Sequence, residues 1–286
     1  MYVSMKEILD HASRNCYAIP APNCPDLNMA RAAIEAARLE KSALIIDVSP
    51  RQMKLHAQAE SYAVLIKAMA EPLDVPIALN FDHGIEYADI VRCIKSGFSS
   101  VMCDASSLSF QDNISRVQQI VSLAHAHGAS VEAELGHVGQ AVDGDGIASN
   151  YYTDPKSAIK FVRDTQVDAL AVAIGTAHGW YPKDYTPKLD FSRLCDLKKS
   201  LDNMPLVLHG ASGSGDENLK KAVANGINKV NLWTEYSSTY VSGIREYLDQ
   251  EERPDYLLLS LHAEEKATKW LRKYMQLFGS SNRYGF

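Results

Sequence analysis

Three histidines and four carboxylates stand at or just beyond the ends of five apolar runs in this sequence. Pro76 to Gly84 reads Pro-Ile-Ala-Leu-Asn-Phe-Asp-His-Gly and closes on Asp82 and His83. Ser100 to Asp104 ends on an acid, and Ser130 to Gly136 carries Glu132 and Glu134. Ala169 to Gly179 has His178 just beyond its apolar part, and Pro205 to Gly210 closes on His209. A buried parallel strand has this pattern where its last residues emerge into a site. A lone histidine in such a place is more often structural. Three at one mouth suit catalytic zinc, which takes three protein ligands and keeps a position open.

Asp82, next to His83, has the setting of a general acid or base. Neighbouring strand residues point to opposite faces, so both reach one site only if the strand ends or bulges there, and Gly84 permits that bend. Glu132 and Glu134 share a face, while Val131, Ala133 and Leu135 need the other for packing, so both acids are expected to point inward. Asp104 reads equally as a metal or ligand-orienting acid and as a turn acid. His125 and His127 fall at a helix end and read as structural, whereas His137 lies in a long loop that could approach the site. Ser49, closing the run Ala43 to Ser49, joins Glu132 as a further candidate site residue. The run His209-Gly-Ala-Ser-Gly-Ser-Gly215 and the segment Asn231-Leu-Trp-Thr234 could cradle an anion through backbone amides and the hydroxyls of Ser212 and Thr234.

These residues need a frame that brings strand ends together. Eight apolar runs alternate with helical periodicities, with no linker or shift in composition, so the whole of 1–286 reads as one domain. The expected strands are 17–23, 43–49, 76–83, 100–104, 130–135, 169–174, 205–209 and 229–233. Expected helices include 5–14, opened by a Ser4/Glu7 capping box, then 28–39, 61–70, 87–95, and 111–127 capped by Gly128. Further helices are expected at 155–165, 191–200, 216–224, 235–249 and 264–278. The segment 136–153 reads as a long loop of the kind kept for function. An α/β fold of the (β/α)8 TIM-barrel type, with extra C-terminal helices, brings every strand end to one mouth. The rival, an open doubly wound sheet, would carry a Gly-rich turn after its first strand, and Ile19-Pro-Ala-Pro22 has none.

Composition narrows the function. A hydrophobic share of 46% supports a large core, and a net charge of −6 leaves no basic stripe for nucleic acid. Five dispersed cysteines without a CxxC pair read as reduced thiols. Neither a signal peptide nor a membrane-length apolar window is visible, so a cytoplasmic protein without membrane contact is expected.

The motifs Asp82-His-Gly84, Ser100-Val-Met-Cys-Asp104, Ser130-Val-Glu-Ala-Glu-Leu-Gly136, Ala171-Val-Ala-Ile-Gly-Thr-Ala-His-Gly179, Val207-Leu-His-Gly-Ala-Ser-Gly213 and Lys229-Val-Asn231 resemble the class II, zinc-dependent fructose-bisphosphate and tagatose-bisphosphate aldolases along nearly the whole chain. The resemblance implies reversible retro-aldol cleavage of a ketose phosphate to dihydroxyacetone phosphate and an aldehyde. It implies zinc (Zn2+) on His83, His178 and His209, with Glu134 and Asp104 at an alternative or second metal position, and proton transfer by Asp82. Gly179, Gly210, Ala211, Ser212, Asn231 and Thr234 would bind the dihydroxyacetone phosphate portion, with a monovalent cation (Na+ or K+) near the phosphate. A homodimer or homotetramer is implied on the same basis. The chain departs from the family in the loop Gly139-Gln-Ala-Val-Asp143, at Trp233 beside the phosphate loop, and at Arg253-Pro-Asp255, where relatives often show Asp-Pro-Arg. Loss of that arginine predicts a substrate other than fructose 1,6-bisphosphate. The competing readings are a non-catalytic aldolase paralogue acting as a partner subunit and a zinc hydrolase on the same barrel.

Overall fold

The computed structural model describes residues 1–141, 151–182 and 185–284. Within them eight strands run parallel in one sheet: β1 (Ile19–Pro22), β2 (Leu44–Val48), β3 (Ile77–Gly84), β4 (Ser100–Cys103), β5 (Ser130–Leu135), β6 (Ala169–Val172), β7 (Leu206–Leu208) and β8 (Ile227–Leu232). Consecutive strands pair from β2 through to β8, and β8 pairs with β1, so the sheet curls into a nearly closed (β/α)8 barrel. Its seam lies between β1 and β2. There the described backbone makes one parallel bridge, Asn23 to Asp47, and the Cys24 N–H donates to the Asp47 carbonyl at 2.9 Å.

The interior is layered by strand alternation. At the closed end Ile19, Ala21, Ile45, Ala78, Met102, Ala169, Ala171 and Val207 pack against Met5, Ile8 and Leu9 of helix α1 (Met5–Arg14), which plugs the barrel. Ser4 and Glu7 cap that helix reciprocally, as their spacing predicts. Outward-facing strand residues such as Val131, Ala133 and Leu135 join the larger core beneath the surrounding helices. Those helices are α2 (Leu27–Glu40), α3 (Pro50–Leu55), α4 (Ala59–Ala70), α5 (Tyr87–Ser96), α6 (Phe110–Ala126), α7 (Pro155–Thr165), α8 (Phe191–Ser200) and α9 (Asp216–Ala224). Two more, α10 (Thr234–Gln250) and α11 (Tyr256–Phe278), follow the last strand.

The structure differs from the sequence reading at three helices. α3 is a short helix of six residues that the expected pattern omits. α6 ends at Ala126 with His127 as its cap, and Gly128 follows in the left-handed region at φ 75°. α11 begins at Tyr256, because the Asp255 carboxylate accepts the N–H groups of Leu257 and Leu258 and starts the helix eight residues before the expected Glu264. The predicted loop 136–153 lies partly outside the described residues. No described helix is long and apolar enough to cross a membrane.

Candidate active site

The strand ends converge on a cavity of about 710 Å³ at the carboxyl mouth of the barrel. Of the site residues singled out in the sequence, all but Glu132 and His209 line it. Those two lie directly beneath, with no exposed surface.

The end of β3 brings two consecutive side chains to one place. Its pairing with β4 shifts register between Phe81 and Gly84, and His83 adopts φ 53°. The bend therefore sits on His83 itself, a position where a non-glycine residue is strained. Gly84 serves differently from the expectation: a Cβ there would stand 2.6 Å from the Met102 carbonyl oxygen and 2.7 Å from Ile90 Cγ1. Its missing side chain allows the bulge to lie flat against β4 and α5.

Asp82 is gripped on both oxygens. Asn23 Nδ2 donates to Oδ2 at 3.0 Å, and Asn231 Nδ2 donates to Oδ1 at 3.0 Å. Burial pushes this carboxyl up, but His83, His209 and Lys229 outweigh it and hold Asp82 down at about 2. It is an anion with a fixed direction, as a proton acceptor requires.

The three imidazoles form a cluster. The rings of His83 and His178 lie 4.8 Å apart, those of His83 and His209 4.5 Å, and those of His178 and His209 5.9 Å. His83 Nε2 faces His209 Nδ1 at 2.9 Å. Their outer nitrogens meet carboxylates: His83 Nδ1 is 2.8 Å from Asp104 Oδ2, and His209 Nε2 is 2.7 Å from Glu132 Oε1. Ionised carboxylates only accept, so the outer nitrogens carry protons and the inner ones turn toward a common centre. Burial pushes His83 down, but Asp82, Asp104 and Glu134 hold it up at about 10. Burial, reinforced by His83, pushes His178 down to about 3.

Asp104 also accepts from the Ser106 N–H at 3.2 Å and from its hydroxyl at 2.8 Å, so its turn role and its contact with His83 coexist. Glu134 accepts the Val138 N–H at 3.1 Å through Oε1, while its buried Oε2 has no hydrogen-bond partner among the described residues. Burial and the charge of Asp104 push Glu134 up to about 8. Donor atoms of His83, His178 and His209 lie within 4.8 Å of one another, and so do those of His83, Asp104 and Glu134. Converging nitrogens, outer carboxylates and an orphaned acid oxygen fit a divalent metal.

Beyond the imidazoles the cavity meets the loop after β7 and the start of α10. Gly210 has φ 64°, and a Cβ on it would stand 2.6 Å from the Ala177 backbone. α10 begins at Thr234 without a side-chain cap, leaving its first amides free to meet an anion. Ser49 is the N-cap of α3, its own N–H donating to Gln52 Oε1 at 2.9 Å.

Sequence reasoning passed over Asn23, Gln52 and Arg51. Gln52 Oε1 also accepts from Asn23 Nδ2 at 3.3 Å, tying α3 to the partner of Asp82. The available signal was position, since Asn23 ends the first strand run as Asp82 ends the third. Arg51 is the one lysine or arginine among the described residues lining the cavity. His137 lines it too, while His125 pairs with Asp168 and His127 with the Leu123 carbonyl at its helix end.

Eight parallel strands closed into a barrel, with a buried acid beside a histidine cluster at the carboxyl mouth, place this chain among proteins with the TIM-barrel arrangement of an active site. The Fructose-bisphosphate aldolase class-II family profile matches residues 3–283, and the chain belongs to that family of carbon–carbon lyases. Its structure resembles the YdjI aldolase of Escherichia coli K12, with 31% identity, 100% of each chain covered and a TM-score of 0.88. A putative fructose-1,6-biphosphate aldolase from Coccidioides immitis shares 26% identity over 98% of this chain and 97% of that one, with a TM-score of 0.86. The fold is shared with a fructose-bisphosphate aldolase from Campylobacter jejuni, at 24% identity over 99% and 97% of the two chains and a TM-score of 0.83.

Proposed function

We propose that this chain is a zinc-dependent aldolase that reversibly cleaves a ketose 1-phosphate to dihydroxyacetone phosphate and an aldehyde. The observation that carries the reading is Asp82, an anion held by Asn23 and Asn231 next to three converging imidazoles. His83, His178 and His209 would hold the zinc, with Glu134 and Asp104 as a second position. Zinc there would supply Lewis acidity toward the substrate ketone. Gly179, Gly210, Ala211, Ser212, Asn231 and Thr234 bind the phosphate-bearing half, and a sodium or potassium ion beside that phosphate belongs to the same proposal.

Asp82 takes the hydroxyl proton from the carbon that becomes the aldehyde. As the carbon–carbon bond breaks, its electron pair stays with the phosphate-bearing half, and reprotonation of that carbon gives dihydroxyacetone phosphate. Asn23 and Asn231 keep the Asp82 carboxylate aimed throughout. Arg51 is the charge available to an acidic group at the aldehyde end, replacing the arginine absent near Arg253. The protein acts as a cytoplasmic homodimer or homotetramer, and Tyr256, Leu257 and Leu258, exposed on α11, offer an apolar face for a second copy.

Release of dihydroxyacetone phosphate from ketose 1-phosphates and bisphosphates, with zinc-loaded and chelated protein and with Asp82→Ala, tests the reading. Cleavage that requires both metal and Asp82 is expected. No cleavage of any sugar by protein with tightly bound zinc would favour the paralogue or the hydrolase.

A further inference from the structure

Beneath the site, the barrel interior carries a layer of charge that the reaction above does not use. Asp47 on β2, Asn80 on β3, Glu132 on β5 and Lys229 on β8 expose no surface at all. Lys229 Nζ donates to Glu132 Oε2 at 2.8 Å and stands 3.3 Å from Asp47 Oδ2, while Asn80 Nδ2 donates to Asp47 Oδ1 at 2.9 Å. Lysine is almost never fully buried unless paired, and burying ions this deeply opposes folding unless the geometry compensates. An ammonium kept at the centre of a barrel therefore points to a task there.

The task is visible in how the Glu132 carboxylate is divided. One oxygen takes the ammonium of Lys229, and the other takes His209 Nε2 at 2.7 Å. Accepting the Nε2 proton leaves Nδ1 with its lone pair turned toward His83 Nε2, 2.9 Å away, at the centre of the imidazole cluster. Without the ammonium, the carboxylate could rotate and release the ring. Asp104 holds His83 in the same manner but sits at the cavity wall, where the Ser106 N–H and hydroxyl steady it. Glu132 lies too deep for such an anchor, and Lys229 takes that place.

We propose that Lys229 is a positioning residue for the donor cluster: by fixing Glu132 it sets the tautomer and ring direction of His209. This rests on the reading of the three imidazoles as a zinc site. Partners of metal-bound histidines typically change affinity by about 10- to 100-fold when lost.

Zinc dissociation constants, measured by competition with a chelating dye, are compared for the wild type, Lys229→Met, Glu132→Gln and the double variant. Thermal midpoints of the metal-free proteins are recorded in parallel. Lys229→Met is expected to weaken zinc binding by about 10- to 100-fold in the wild-type background and to add little once Glu132 is Gln. Equal affinity for wild type and Lys229→Met, or losses that simply add, would overturn the proposal whatever happens to the melting point. If Lys229→Met does not fold, Glu132→Asp keeps the buried charge but withdraws the carboxylate by one methylene. Its zinc affinity should fall likewise, and an unchanged value counts against the link. A wild type that binds no zinc would remove the metal reading itself, which is a different result from wild type and variant binding it equally.

Discussion

Asp82 owes its direction to two amides from the paired strands β1 and β8, Asn23 just after β1 and Asn231 on β8, one on each carboxylate oxygen. Hydrogen bonds to a charged group contribute about 1.5–3 kcal/mol each. Asn23→Ala should therefore lower kcat by about 10- to 100-fold while zinc content stays at the wild-type level, as metal analysis beside initial rates would reveal. Arg51→Met should reduce kcat/KM by a similar factor for ketose phosphates ending in a carboxylate or phosphate. Rates on substrates ending in a neutral hydroxymethyl should not change, and equal losses on both would remove Arg51 from recognition. The histidines and Asp82 were legible in the sequence because each interrupts an apolar run. Asn23 and Gln52 were not, since an amide after a strand reads as ordinary turn chemistry. Lys229 was hidden for another reason: its fitness for a core position depends on Asp47 and Glu132, far away in sequence.

Among the elements, α8 is tied to β8 and α1 by one side chain. Lys198 Nζ donates to Ser13 Oγ at 2.7 Å, the Met204 carbonyl at 2.9 Å and Asn228 Oδ1 at 3.0 Å. Burial pushes this lysine down from 10.5 to about 8. Between those values the unfolded chain keeps a proton that the folded chain has released, so this group's contribution to stability rises with pH. Chemical denaturation from pH 7.5 to 10 should show a smaller upward component in Lys198→Met than in the wild type; parallel curves would refute the assignment. Most elements were legible because strand runs and helical periodicity alternate cleanly. α3 was too short to display a period, and the first turns of α11 carry exposed Tyr256, Leu257 and Leu258, which blur its amphipathic stripe. The bulge at His83 was anticipated from the need to present two neighbours together. That His83 rather than Gly84 bears the positive φ follows from packing against β4 and α5, which no local pattern encodes.

For the whole molecule, barrel closure could be read from the count of alternations, whereas the place where the ring joins could not. That join is the single bridge between Asn23 and Asp47. Both residues have second duties: Asn23 orients Asp82, and Asp47 stands against Lys229 in the charged layer. Orientation of the acid and ring closure thus depend on the same two residues, one through side chains and the other through backbone. A molecule whose ring has parted at this point would keep its helices and most of its core, yet its acid would have lost a guide. Heating should silence the enzyme several degrees before circular dichroism registers loss of helix, and backbone amides around residues 23 and 24 should exchange with deuterium early. Coincident curves for activity and helix content would mean the ring opens only when everything else does. Activity lost ahead of helix makes the seam a built-in fuse, taking the catalyst out of service while the scaffold is still able to recover.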